Sequence, residues 1–366
     1  MTSRRGSRPS QTGVPSAGLL GRRRMLGWGA GVAASLVVPR RARAQTAHSV
    51  VDSAGRTVAL PGEVRRVFAA GPPAAILLFA VAPDRLLGWT TALGADEKAF
   101  FPEKYTALPT LGRLTGRGNT ANVEVVLAAK PDLILDYGTI NPTYASLADR
   151  VQEQTGIPYA LIDGSFAKMP EAFRLLGALV GDEAAGEGLA HYAEETLADI
   201  DRGIAQAAPG RRPRVYYARG PKGLNTGLGG SINVESIERV GAFNVAAGIG
   251  KGGLADVSME QLLLWDPEVI ITTDAGFYAA VKKDKLWEGV QALQAGRVYL
   301  SPTLPFGWVD FPPSVNRMIG LHWLARLLYS DIFTAPLKPR VADFYARFYH
   351  QAPSDAQLAR LLADTP

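Results

Sequence analysis

Short apolar runs alternate with amphipathic stretches along most of this chain. Residues 66–70, 85–90, 108–111, 133–136 and 157–162 have the length and apolar density of buried strands. Between them, residues 74–81 are apolar all round, as in a fully buried helix, and 123–130 and 141–154 have helical spacing. Asn122 caps the first of these amphipathic helices and Pro131 stops it. Residues 50–60 hold the turn Ser53-Ala54-Gly55 between apolar pairs, which predicts a hairpin. A long helical run over 169–207 follows, with a break at Gly181–Asp182. Beyond that break Leu189, Ala193, Leu197, Ile200 and Ile204 fall three or four residues apart and form one apolar stripe. The alternation then restarts, with strands at 214–219, 269–273 and 297–300 and helices at 234–240, 258–265 and 314–329. Strand and helix in alternation predict parallel sheets flanked by helices.

The two halves also resemble each other. Residues 112–134 and 248–270 share a pattern at a constant offset of 136: Gly112 and Gly248, Gly116 and Gly252, Glu124 and Glu260, Leu127 and Leu263, Pro131 and Pro267, Ile134 and Ile270. The expected architecture is α/β, with two lobes, each a mostly parallel sheet flanked by helices, bridged by a single long α-helix. The lobes are assigned to 45–167 and 209–330, the linking helix to 168–208, and a helical tail to 331–366.

Charge changes the picture only at the start. The chain carries a net +5, but residues 1–44 hold nine arginines and no acid, and removing them leaves 30 basic against 34 acidic residues, a net −4. The mature chain therefore has no basic surplus for nucleic acid. Gly21-Arg22-Arg23-Arg24-Met25-Leu26 fits a twin-arginine pattern, and the apolar run that follows is too short for a membrane span. Ala42-Arg43-Ala44 is an A-x-A site, which predicts a signal peptide over 1–44, cleavage after Ala44 and a periplasmic mature protein. With no cysteine in the chain, a lipoprotein anchor, disulfides and thiolate metal sites are all excluded.

Catalytic signatures are missing: neither G-x-S-x-G nor H-E-x-x-H occurs. Gly248-Ile249-Gly250-Lys251-Gly252 approaches a phosphate loop, but Gly252 stands where Ser or Thr should hold magnesium. Gly227-Leu228-Gly229-Gly230 lacks the third glycine of a dinucleotide fingerprint and reads as a turn. The four histidines, His48, His191, His322 and His350, are far apart, whereas a bare metal site needs converging ligands. His322, in an apolar helix, reads as a packed core residue. No catalytic residue, direct metal ligand or resident cofactor is expected, so a metal bound here arrives already wrapped in a chelator.

Ligands of open α/β sheets bind at the C-terminal ends of the strands. The loops there carry Trp89, Arg113, Arg117 and Tyr137 in the first half, and Tyr217, Arg219, Phe306 and Trp308 in the second. The arginines suit an anionic ligand through charge-assisted bonds, and the aromatics suit its apolar faces. Asp136, Asp163 and Asp274 also stand at strand ends, but no histidine is placed beside them, which makes an exported enzyme the weaker alternative.

Three stretches carry a family resemblance. They are Val51-Asp52-Ser53-Ala54-Gly55-Arg56-Thr57-Val58, Asn122-Val123-Glu124 with Lys130-Pro131-Asp132-Leu133-Ile134, and Ser258-Met259-Glu260-Gln261 with Pro267-Glu268-Val269-Ile270. With them the mature chain resembles the periplasmic substrate-binding proteins of ABC importers for iron–siderophore, haem and vitamin B12. The resemblance implies a ligand held between two lobes, small closure about one rigid helix, and one permease-docking glutamate per lobe, here Glu124 and Glu260. The partners it implies are an inner-membrane ABC permease with its ATPase and a small-molecule metal chelate, with ferric siderophore first. Haem, a corrinoid, a nickel chelate and a molybdate-type oxyanion are the alternatives; for haem, Tyr137, Tyr217 and Tyr278 are the axial candidates. The expected state is a monomer.

Overall fold

The structure, a computed structural model, describes residues 48–116, 118–363 and 365. The expected signal peptide with its cleavage site, and the candidate Arg117, lie outside these residues. The hairpin forms from β1 (His48–Val51) and β2 (Thr57–Leu60), with Val51 opposite Thr57. Its Asp-Ser-Ala-Gly-Arg turn is closed by Asp52, whose carboxylate accepts the N–H groups of Ala54 and Arg56 at 3.0 Å each and pairs with the Arg56 guanidinium at 2.8 Å. Gly55, at φ +77°, makes the reversal. The same carboxylate accepts the Leu161 N–H at 3.1 Å, which pins the hairpin to the first lobe's sheet.

That sheet is β3 (Val67–Ala69), β4 (Leu133–Gly138) and β5 (Tyr159–Asp163), all parallel, with β4 in the middle. Side chains alternate across it: Leu133, Leu135 and Tyr137 face the central core, and Ile134 faces an outer core with Ala148 and Val151. The strands expected at 85–90 and 108–111 shrink to single bridges, Val67 with Leu86 and Trp89 with Thr110. Pro109 has no N–H to extend a ladder there. Helix α1 (Pro72–Val81) lies between the sheet and the linking helices, and Ala74–Val81 is buried throughout, which accounts for its unbroken apolar sequence. Two one-turn helices, α2 (Ala95–Lys98) and α3 (Glu103–Thr106), precede α4 (Val123–Ala129), and α5 (Pro142–Thr155) leads into β5.

The helical run breaks at Gly181, which takes φ +70° and ends α6 (Met169–Val180). Asp182 then caps α7 (Glu183–Ile204), so the run folds back as an antiparallel pair. Arg174 meets Glu187 at 2.7 Å across it, and Gly177 and Gly186 let the two backbones approach. The bridge between lobes is thus α7 alone, 22 residues or roughly 33 Å. Its far end packs on the second lobe, where Asp201 pairs with Arg239.

The second lobe is a parallel sheet in the order β11, β10, β6, β8, built from β6 (Arg214–Ala218), β8 (Phe243–Asn244), β10 (Val269–Thr272) and β11 (Val298–Leu300). A small antiparallel pair, β7 (Asn225–Gly227) with β9 (Leu254–Asp256), stands beside it. Its helices are α8 (Glu235–Arg239), α9 (Met259–Trp265), α10 (Ala275–Val281), α11 (Gln291–Gln294) and α12 (Arg317–Leu328). The internal repeat is structural: α4 and α9 are seven residues each, capped by Asn122 and Ser258, and both end on a left-handed residue, Lys130 and Asp266. The tail, α13 (Leu337–Phe348) and α14 (Asp355–Leu361), returns to the first lobe, where Arg360 pairs with Asp96 and Phe101 packs on Tyr349.

One continuous core takes side chains from β3, β4 and β5 and also from β6 and β10. An ion pair of the second lobe, Arg317 with Glu235, reaches across to the first lobe through hydrogen bonds. Arg317, fully buried, donates to the carbonyls of Gly164 and Ile232 and to the Glu235 carboxylate at 2.8 Å. The other Glu235 oxygen accepts the Phe166 N–H at 2.9 Å.

Candidate functional site

The cleft lies where the strands of both lobes end, and it holds two adjoining cavities. The first, about 490 Å³, is lined from the first lobe by Arg113, Thr115, Asp136 and Tyr137, and from the second by Arg219, Asn233 and Asp310. The second, about 420 Å³, is lined by Ile76, Trp89, Leu93, Glu97, Leu304 and Phe306, among others. Pro72, Arg113, Phe311 and Pro312 belong to both walls.

The two arginines differ in how their charge is met. Arg219 follows β6, and its Nε lies 2.9 Å from the fully buried Asp310 carboxylate. Asp310 also accepts Asn233 Nδ2 at 2.9 Å and Tyr217 Oη at 3.3 Å, so the cation is largely neutralised within the protein. Arg113 has no carboxylate within ion-pair distance among the described residues; its Nε donates to the Gly118 carbonyl at 3.1 Å. Among the described residues it is the cation of the cleft with charge left to offer.

Asp136, buried near the C-terminal end of β4, has no cation beside it among the described residues. It accepts Thr115 Oγ1 at 3.1 Å, the Tyr137 N–H at 3.0 Å and Tyr159 Oη at 3.3 Å. Burial raises its pKa above the usual carboxylate value, and the three donors oppose that shift. Tyr137 Oη is buried with no hydrogen-bond partner among the described residues, and burial pushes its pKa up. Phe311 is 68% exposed at φ +71°, with its carbonyl accepting the Gly307 N–H, so its ring projects into the cleft beside the Arg219 guanidinium, 5.8 Å away.

Of the residues expected from the sequence, Arg113, Arg219 and Tyr137 line the first cavity, and Arg113, Trp89 and Phe306 the second. Trp89 is 3% exposed and its indole donates to the Tyr105 carbonyl, so it backs the wall more than it faces a ligand. Tyr217 and Trp308 line neither cavity, which corrects the expectation for both. Tyr217 faces the core and holds Asp310 from behind, and Trp308 is buried with its Nε1 donating to Tyr345 Oη at 3.1 Å. Tyr278 packs in the outer core of the second lobe, away from the cleft. Asp163 and Asp274 accept backbone N–H groups, from Ser165 and Phe277, at 2.8 Å each. Sequence reasoning missed Thr115, Tyr144, Asn233, Asp310 and Phe311. The last two sit in the proline-rich loop after β11, whose composition was the available signal.

Among the described residues no group of three His, Cys, Asp or Glu side chains is placed to hold a metal ion. His322 is 5% exposed in the core, as its apolar helix predicts. No helix among the described residues is long and apolar enough to cross a membrane.

Residues 84–303 match the family model described as periplasmic binding protein. The molybdate-binding protein MolA of Haemophilus influenzae is 27% identical over 302 residues, which is 75% of this chain and 82% of that one. An uncharacterized ABC transporter substrate-binding lipoprotein of Bacillus subtilis is 24% identical, over 78% of this chain and 86% of its own. Among solved structures, an ABC transporter solute binding protein from Sulfurospirillum deleyianum superposes with a TM-score of 0.78 at 30% identity, covering 86% of this chain and 99% of that one.

Proposed function

The chain belongs to the periplasmic binding protein family, and from that premise we propose that it captures an anionic metal chelate, first a ferric siderophore, and delivers it to an inner-membrane ABC importer. The observation that carries the ligand class is Arg113, a cation without a carboxylate partner among the described residues that faces both cavities. A guanidinium in a sheltered cleft favours an anion through charge-assisted bonds. Cavities of about 490 and 420 Å³ are of the size that encloses a multi-ring ligand and leave a lone tetrahedral oxyanion loosely held. The apolar walls at Phe306 and Phe311 suit the organic skin of a chelate.

A second reading, a compact oxyanion held by Arg113 and backbone N–H groups, is favoured by the likeness to a molybdate-binding protein. Titrating the mature protein with an anionic ferric chelate and with molybdate separates the two. Much tighter binding of the chelate supports the first reading, and binding of molybdate alone supports the second.

Delivery requires a docking face. Glu124 and Glu260 are both exposed, each the second residue of a capped seven-residue helix at matching places in the two lobes. The α9 N-terminus and the Ser258 hydroxyl hold the Glu260 carboxyl below its usual pKa, so that end of the face stays charged. We assign these two glutamates to contact with the permease, and the segment 1–44 to twin-arginine export.

A further inference from the structure

We infer that the protein holds an anion at a second site, a compact phosphate-type oxyanion seated beside the linking helix and away from the cleft. A cavity of about 250 Å³ opens there between the C-terminal parts of α7 and α12, the first turn of α13 and the connection between α12 and α13. It shares no lining residue with either cleft cavity. Three arginines line it, Arg202 from α7, Arg326 from α12 and Arg340 from α13, and Asp199 is the one acid among the lining residues. Three cations against one anion leave a surplus of two positive charges. Asp199 is divided between two of them, with Arg202 at 2.9 Å on one oxygen and Arg340 at 2.8 Å on the other. Arg326 has no carboxylate within ion-pair distance among the described residues. Its Nη1 donates to the carbonyls of Phe333 at 3.2 Å and Thr334 at 3.1 Å, which fix the guanidinium without neutralising it. Arg326 Nε and Nη2, and Arg202 Nε and Nη1, have no hydrogen-bond partner among the described residues.

Cations near helix C-termini complement the helix dipole, which accounts for Arg202 and Arg326 taken singly, and the Asp199–Arg340 pair pins the tail to α7. Neither accounts for three guanidiniums meeting at one cavity on a single carboxylate. The wall they share is held in place: a Cβ on Gly203 would lie 2.1 Å from the Phe333 ring, so that ring seats directly on the α7 backbone. A larger neighbouring cavity carries Glu194, Glu195 and Asp343. None of these lines the small cavity, and each has its own partner, Arg174, His191 and Arg347 in turn. Guanidinium N–H groups from three directions match the oxygens of a tetrahedral anion through charge-assisted bonds. An anion held there ties α7 to α12 and to the tail, and so stabilises the bridge between the lobes.

The test titrates inorganic phosphate into the mature chain at constant ionic strength, with chloride as the balancing anion, and reads calorimetry and melting temperature. It is made in the Arg113→Ala protein, whose cleft has lost its free cation, so that phosphate drawn to the cleft is not counted. The expected result is one-to-one binding with a rise in melting temperature that chloride does not give. Adding Arg326→Gln or Arg202→Gln is expected to weaken that binding about tenfold or more, the loss of one charge-assisted contact. Melting temperature without phosphate confirms folding, and either variant suffices if the other fails to fold. Binding no stronger than that of chloride, or phosphate binding unchanged in a folded Arg326→Gln or Arg202→Gln protein, overturns the second site. Either result leaves the reading of the cleft untouched.

Discussion

At Arg113 and Arg219 the same side chain has two different jobs. Arg219 neutralises a buried carboxylate, so Arg219→Ala leaves Asp310 with neutral donors only and is expected to lower stability by about 3–5 kcal/mol. Arg113→Ala removes no ion pair among the described residues and is expected to cost little stability while weakening chelate binding by about 1.5–3 kcal/mol. Denaturant unfolding and calorimetry on both variants check the contrast; equal losses of stability would contradict it. His322 supplies a pH test. Burial, with the Arg340 guanidinium nearby, pushes its pKa down to about 4. The unfolded chain takes up that proton near the ordinary 6.5, so between these values the unfolded state binds more protons. Stability therefore falls as pH drops through the window, by roughly 3 kcal/mol in all. His322→Gln is expected to flatten the decline in urea midpoint between neutral pH and the acid end of the window, and an unchanged slope would exclude His322 as its source. The sequence named both arginines but not their difference, because Asp310 reaches Arg219 from 91 residues further on (310 − 219). It also could not say which face of β6 meets the ligand, and so Tyr217 was expected in the cleft.

The elements most legible in the sequence were those whose local chemistry is complete. The Asp52 turn, the caps Asn122 and Ser258, and the break at Gly181 each satisfy backbone groups with residues close by. The missed pair β7–β9 has three residues per strand and joins segments separated by α8 and β8, so no local period announces it. The close packing of α6 on α7 after the Gly181 break was also invisible, although the residues that permit it, Gly177 and Gly186, stand in the sequence. A Cβ on Gly186 would sit 2.6 Å from the Phe173 carbonyl oxygen. Gly186→Leu is therefore expected to destabilise the protein by about 1–3 kcal/mol through forced separation of the pair. An unchanged unfolding midpoint would show that the contact is slack.

At the scale of the molecule, the shared core ties the lobes together, and Arg317 and Glu235 of the second lobe bond to Gly164 and Phe166 of the first, packing that favours small closure. Glu124→Ala with Glu260→Ala is expected to keep folding and ligand affinity while abolishing uptake and stimulation of the importer's ATPase. Normal transport by that double variant would contradict the assignment. Replacing Arg22 and Arg23 with Lys is expected to leave uncleaved precursor in the cytoplasm, and normal periplasmic yield would refute twin-arginine export. The central claim is that this cleft carries an anionic metal chelate, and native mass spectrometry of protein purified from the periplasm with its ligand retained tests it most directly. The expected result is a one-to-one complex whose added mass and isotope pattern are those of a metal, iron first, inside an organic chelator. An added mass equal to a bare oxyanion, or to a solute without metal, would contradict it.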